Sequence, residues 1–237
     1  MTCVFSNRSQ RNLLLLTAAC LVVLPGCSLM VMAGKVFLGD PKVKSPFSSA
    51  TGQDLTEVET PVAIICEAPH RLISRVPSLQ IDILDRVARH LETQGVRVVD
   101  PGDLASWYDD HGEWGDFSEM AEHFDAGHVL KIELREFSYQ VPESENLLQG
   151  RAEGHLTVVK VNTPPKSLLT AESSAKADKW LPMTTVFDRD FSLKFPTSYP
   201  IARETQSEDI FAQTFIDRVA VHISQHLYDY KTSESVH

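Results

Sequence analysis

The apolar positions of this chain predict strands and helices in alternation from about residue 61. A continuous apolar run at residues 62–66 is typical of a buried strand. The next segment, 78–94, predicts a helix because four apolar residues fall at i, i+3, i+4 and i+7: Leu84, Val87, Ala88 and Leu91. A second apolar strand is predicted at 96–99, before Asp100-Pro101-Gly102. This strand, helix, strand order favours parallel pairing through a right-handed crossover.

The middle of the chain predicts a short helix followed by a long strand. Asp116 and Glu119 have the spacing of a capping box at the start of that helix, which ends before Gly127. Residues 129–141 then alternate between apolar and polar, and the alternation slips by one position near Arg135 and Glu136. A slip of this kind predicts a β-bulge.

The last third of the chain predicts neighbouring strands and a closing helix. Segments 151–161, 167–177 and 185–195 show no helical period between them, which favours an antiparallel β-meander. Thr205 and Glu208 form a second capping box before an apolar stripe made of Ala212, Ile216, Val219, Ile223 and Leu227. The predicted fold class is therefore α/β (α+β): a βαβαβ start, an antiparallel β-meander and a C-terminal helix, in a mixed sheet with helices packed on it.

The first residues have the layout of an export signal. Arg8 and Arg11 form a positive flank, residues 13–24 are mostly apolar, and Leu24-Pro25-Gly26-Cys27 follows. Charged region, apolar region and small-residue cleavage site come in the order of a secretory signal peptide. An apolar run of about 12 residues is shorter than the roughly 20 that a membrane-spanning helix needs.

The residues Leu24, Gly26 and Cys27 resemble the lipobox of bacterial lipoproteins. The resemblance implies cleavage before Cys27, fatty acids such as palmitate on its sulfur and amino group, and a lipid anchor in the cell envelope. Ser28, at the position where Asp retains many such proteins in the inner membrane, favours the outer membrane. The alternatives are an ordinary signal peptide in which Cys27 is incidental, and an uncleaved signal anchor.

These signals divide the chain into four parts. We predict a lipoprotein signal peptide at 1–26, a lipidated N-terminus and flexible tether at 27–60, one globular α/β domain at 61–230 and a disordered tail at 231–237. The tether is rich in Gly, Pro and Ser. The remaining length suits a single domain with its own core.

Charge narrows the range of partners. The chain has 32 Asp and Glu against 22 Lys and Arg, a formal net charge of -10, and the signal removes two more cations, Arg8 and Arg11. Nucleic acids and anionic lipid surfaces attract Lys and Arg, so neither is predicted as a partner. We predict attachment to a membrane through lipid on Cys27, binding to an envelope protein, and no cofactor. Cys66, the remaining unassigned cysteine of the exported chain, is predicted to be a small core residue.

A polar and aromatic segment at 107–116 holds the main candidate site. It is predicted to be a Gly-containing loop carrying Trp107, Asp109, Asp110, His111, Glu113 and Trp114. Three interpretations remain open: a solvated loop with tryptophans packed on the domain, a ligand or partner surface, or a metal site. The segment lacks the oxygen-ligand spacing of a calcium loop, which argues against calcium.

A second candidate is a histidine pair near the C-terminus. His222 and His226 are four residues apart, the spacing that zinc dyads use on a helix. Ile223 stands where the metalloprotease motif has its Glu, and no third ligand is identifiable in the sequence. We therefore predict a solvent-facing pair beside the apolar stripe.

Three short segments resemble uncharacterised lipoproteins of planctomycete-type bacteria: Gly39-Asp40-Pro41-Lys42, Trp107-x-Asp109-Asp110-x-Gly112-Glu113-Trp114, and Phe215-x-Asp217-Arg218-Val219 with Tyr228-Asp229. The predicted element order is also similar to that of envelope domains of the CsgG, LpoB and TolB N-terminal kind. Neither resemblance implies an activity.

Two functional hypotheses follow. In the first, the chain is a lipid-anchored, periplasm-facing envelope protein that acts as a non-enzymatic binding or assembly module. In the second, it is a metal-dependent or sugar-processing hydrolase that works through the 107–116 segment. The sequence contains no phosphate-binding loop, dinucleotide fingerprint or nucleophile elbow.

Overall fold

A computed structural model describes residues 42–111, 117–162 and 183–231. Its helices are α1 (Pro46–Thr51), α2 (His70–Ile73), α3 (Leu79–Thr93), α4 (Pro101–His111), α5 (Phe117–His123) and α6 (Glu208–Ser224), with a 3-10 turn at Leu55–Glu57. Its strands are β1 (Lys42–Val43), β2 (Val62–Glu67), β3 (His128–Val141), β4 (Ser144–Val161), β5 (Met183–Phe195), β6 (Ile201–Ala202) and β7 (Tyr230–Lys231).

The central sheet is mixed, with strand order β2-β3-β4-β5 and with β6 added to β4. β2 runs parallel to β3, with Val62 opposite His128. β3, β4 and β5 are joined as antiparallel neighbours. The short strands β1 and β7 form a separate two-stranded sheet. The predicted fold class, a mixed sheet with helices packed on it, is confirmed.

The strands predicted at 96–99 and 167–177 are not among the strands that the described residues form. At residues 96–99 the chain makes only an isolated parallel bridge, between Val98 and Val62. Two backbone hydrogen bonds hold it there, from Val62 N to Arg97 O and from Val99 N to Val62 O. Because α4 begins at Pro101, the pairing cannot extend further. The strand predicted at 167–177 lies outside the described residues, and β4 pairs directly with β5.

The bulge predicted in the long strand is present. The pairing of β3 with β4 changes register between Leu134 and Glu136, which face Gly154 and Glu153. The extra residue on β3 is therefore Arg135. The slip in apolar alternation at that position was a sufficient sequence signal for the bulge.

Apolar groups on both faces of the sheet form two cores. Val62, Ile64 and Cys66 belong to the core shared with α3 and α6, whereas Ala63 and Ile65 belong to the core shared with α4 and α5. This two-sided burial explains why β2 reads as a continuous apolar run. Cys66 is buried as predicted, and burial raises the pKa of its thiol to about 12.

The packed part of the chain starts earlier than the tether prediction allowed. Residues 46–57 were assigned to a flexible tether, but they form α1 and the 3-10 turn. Phe47 and Leu55 are fully buried in the core. The isolated apolar residues of this segment gave no periodic pattern, and only the rest of the fold supplies the surface they pack against.

The cap of α6 also differs from the prediction. The helix begins after Ser207, whose Oγ accepts a hydrogen bond from Ile210 N at 3.4 Å, so the Thr205 and Glu208 capping box does not form. Glu208 is instead the first helical residue, where a carboxylate interacts favourably with the helix dipole.

We expect Ser207→Ala to lower the free energy of unfolding by about 1 kcal/mol, the usual contribution of an N-cap side chain. Thr205→Ala should change it by only a few tenths of a kcal/mol. Urea unfolding of both variants measures the difference. A larger loss in Thr205→Ala than in Ser207→Ala would contradict this assignment of the cap.

The described helices include none with the length and apolar character needed to cross a bilayer.

Candidate functional site

The Trp-rich candidate segment is partly helical. Residues 107–111 belong to α4 and not to a loop, which corrects the prediction. Asp100 Oδ1 accepts hydrogen bonds from Gly102 N at 2.8 Å and Asp103 N at 3.1 Å, and Pro101 occupies the first helical position. Asp before Pro is a helix-start signal as well as a turn signal, so the sequence alone could have revealed this helix.

The first tryptophan of the segment is a core residue that also borders the surface. Trp107 is mostly buried and packs with Tyr108, α5 and the second core. His111 lies one turn further on and stacks on the Trp107 indole, with ring centroids 4.4 Å apart and planes at 8°. His111 Nδ1 donates to Trp107 O at 2.9 Å, which fixes the orientation of the imidazole.

A surface groove of about 380 Å³ lies between α4 and α5. Its lining consists of Trp107, His111, Glu119, Glu122 and His123. The rings of His123 and Trp107 are 6.3 Å apart. The groove thus combines an indole, two imidazoles and two carboxylates, which suits a ligand that carries hydrogen-bond donors or positive charge.

The structure brings together only part of the predicted site. Trp107 and His111 line the groove, whereas Asp109 and Asp110 are exposed on α4 and are not among its lining residues. Glu113 and Trp114 lie outside the described residues. Glu119, Glu122 and His123, which the sequence analysis missed, fall at i, i+3 and i+4 on α5 and so share a face. Their proximity to α4 depends on packing and has no sequence signal.

Nowhere in residues 42–111, 117–162 and 183–231 do three or more His, Cys, Asp or Glu side chains come together as a metal-holding group.

The C-terminal histidine pair is half-buried, whereas a solvent-facing pair was predicted. His222 is near the end of α6, and His226 lies in the turn that follows it. The two rings are 4.9 Å apart and nearly perpendicular, and His226 Nδ1 donates to His222 O at 2.8 Å. Burial lowers the pKa of His222 to about 4 and also lowers that of His226.

A further polar network crosses the outer part of the sheet. His155 on β4 is held between two carboxylates of β5, with Nε2 3.0 Å from Asp188 Oδ1 and Nδ1 2.8 Å from Asp190 Oδ1. Arg135, the bulge residue, contacts the same Asp190 oxygen at 2.8 Å. The Asp190 hydrogen bond raises the pKa of His155. Both ring nitrogens of His155 contact a carboxylate. The network therefore holds these side chains in place, and neither nitrogen is free to act as a base.

The comparisons with known proteins gave low similarities. No family model matches the chain, and no curated protein matches its sequence. Similar solved structures include the PelC dodecamer from Paraburkholderia phytofirmans, at 12% identity over 79% of this chain and 96% of that one, with a TM-score of 0.38.

Two other solved structures were also found. Lipoprotein GNA1162 from Neisseria meningitidis is 12% identical over 70% of this chain and 98% of that one, with a TM-score of 0.36. Protein XCC0632 from Xanthomonas campestris, of the family DUF330, is 11% identical over 72% of this chain and 82% of that one, with a TM-score of 0.40. These alignments assign no activity to the chain.

Proposed function

We propose that the protein is a lipid-anchored envelope protein, facing the periplasm, that binds another envelope component through the groove between α4 and α5. The resemblance of Leu24, Gly26 and Cys27 to a lipobox supports the anchor. The observation that carries the binding role is the groove itself, in which Trp107 and His111 are pre-oriented beside Glu119 and Glu122.

Charge indicates the chemistry of the partner. The stretch between Arg97 and Lys131 has no Lys or Arg and contains nine acidic residues: Asp100, Asp103, Asp109, Asp110, Glu113, Asp116, Glu119, Glu122 and Asp125. Complementary charges steer association and discourage partners of the same sign. A protein segment that carries Lys or Arg beside an apolar side chain therefore fits this surface.

The experiment places a photo-reactive amino acid at Glu122 in the otherwise unchanged full-length protein. Glu122 is exposed in the groove, and Glu92 is an exposed Glu on α3, which packs on the other face of the sheet. We expect a discrete cross-linked species from position 122 in cells, identified by mass spectrometry, and none from position 92.

Charge reversal gives the second readout. In a protein carrying the photo-reactive group at His123 in the same groove, Glu122→Lys should reduce the cross-linked yield about tenfold, a typical coupling of more than 1 kcal/mol for an interfacial charge. The matched Glu92→Lys variant should leave the yield unchanged. Equal cross-linking at positions 122 and 92, or insensitivity to Glu122→Lys, would rule out the groove as the binding surface.

A further inference from the structure

A segment that precedes β2 is hydrogen-bonded to the residues that follow α6. Residues 45–51, which we call the clip, comprise Ser45 and helix α1. Ser45 N donates to Asp229 Oδ1 at 2.8 Å, and Phe47 N donates to His226 O at 2.9 Å. The clip is therefore tied by its backbone to residues that follow α6.

One aromatic side chain holds the clip against the sheet. Phe47 is completely buried, and its ring packs edge-on against two others. The ring centroids are 6.3 Å from that of His128 on β3 and 5.8 Å from that of Phe187 on β5. Opening the clip would withdraw Phe47 from these contacts.

The imidazole beneath Phe47 is unusual because it is buried without hydrogen bonds. His128 is only 3% exposed, and among the described residues neither ring nitrogen has a hydrogen-bond partner. Burial, and next the nearby Lys160, lower the pKa of His128 to about 4. The ring is thus neutral at pH 7, and a charged ring would be buried without a counter-ion.

The groups around His128 do not favour a positive charge on its ring. Lys160 is the register partner of His128 on β4, and Val62, its partner on β2, is apolar. On the other side, Arg189 of β5 is close enough to lower the pKa of His226, and His222 adjoins the same ring. Asp229, the acidic group at the clip, already accepts from Ser45 N.

We propose that the clip is an acid-released strap: protonation of His128 beneath Phe47 detaches residues 45–51 while the central sheet stays folded. Release would free the chain from residue 44 to residue 54, between β1, which pairs with β7, and the buried Leu55. Those 11 residues span at most about 40 Å when extended.

The direction of the pH effect follows from proton binding. In the open state His128 meets water and titrates near its ordinary pKa of about 6.5. The closed state binds that proton only near pH 4. The open state therefore holds more protons between these values, and the closed state loses stability as the pH falls below about 6.5. At pH 5 this difference favours opening by about twentyfold relative to pH 7.

Amide hydrogen exchange of the full domain at pH 7 and pH 5, corrected for intrinsic exchange rates, tests the proposal. The amides to follow are Phe47, Ser49 and Gly52, which are all hydrogen-bonded in the closed clip. We expect their protection to fall about twentyfold at pH 5, whereas strand amides such as Leu130 keep theirs. In wild-type protein, NMR titration of the His128 imidazole should follow the same midpoint.

Four variants complete the test. His128→Leu should abolish the pH-dependent loss, and His128→Gln, which is also uncharged, serves if the Leu variant does not fold. His70→Gln, which removes an exposed histidine, should behave as wild type. Phe47→Ala should leave the clip amides unprotected at both pH values. A parallel loss of protection in the strands, or a loss that persists without His128, would overturn the proposal.

Discussion

Replacing Cys27 with Ala is expected to move the protein from the membrane fraction to the soluble fraction. Each buried CH₂ of an acyl chain contributes about 0.8 kcal/mol, and two or more chains are needed for durable attachment. The 32 Asp and Glu of the chain outnumber its 22 Lys and Arg, so electrostatic attraction to an anionic bilayer should not replace the acyl chains. The loss of attachment should therefore be large.

The control for this prediction is the same change at another cysteine. Cys66 is buried in the core, so Cys66→Ala removes a thiol without touching the anchor and should leave the protein on the membrane. Mass spectrometry of the mature N-terminus should show acyl groups on Cys27 in wild type and in Cys66→Ala. Retention of Cys27→Ala on washed membranes would remove the lipid explanation.

The second large effect is expected at Phe215, where α6 crosses the sheet. Its side chain is fully buried, with ring centroids 5.1 Å from Phe137 and 6.4 Å from Phe211. Phe215→Ala should lower the free energy of unfolding by about 3–5 kcal/mol, the range for buried Phe-to-Ala changes that leave a cavity. Ile210→Ala, an exposed position on the same helix, should change it by less than about 0.5 kcal/mol.

The close fit of Phe215 against β4 depends on the lack of a side chain at Gly150. A Cβ placed on Gly150 of β4 would overlap the Phe215 ring. Gly150→Ala should therefore cost about 1–3 kcal/mol in wild type, as overpacking does, but much less in Phe215→Ala, where the cavity accepts the methyl group. Chemical denaturation of the four proteins measures the coupling, expected to exceed 1 kcal/mol. Additive losses would show that the two residues do not share this space.

Elements with strong local patterns were predictable from the sequence. The helix predicted at 78–94 is α3, and the strands predicted at 129–141 and 185–195 are β3 and β5. Even the bulge at Arg135 was visible as a slip in alternation. Side-chain periodicity reports which face of an element is buried, and this information lies within a few consecutive residues.

The candidate site was harder to predict because its parts come from separate elements. The sequence drew attention to Trp107 and His111, and both line the groove. Glu122 and His123 were missed, since nothing in a single sequence shows that α5 packs beside α4. The sequence also drew attention to His222 and His226, whose rings lie close together, but it did not show that packing half-buries the pair.

The sequence by itself determined the order of the main elements and the acidic character of the domain, because these depend on neighbouring residues or on simple sums of charge. Only the tertiary structure decided that Phe47 belongs to the core, that His128 lies neutral beneath it, and that Gly150 makes room for Phe215. Each of these arrangements joins residues far apart in the chain, and their burial and electrostatics exist only once the sheet and helices have packed together.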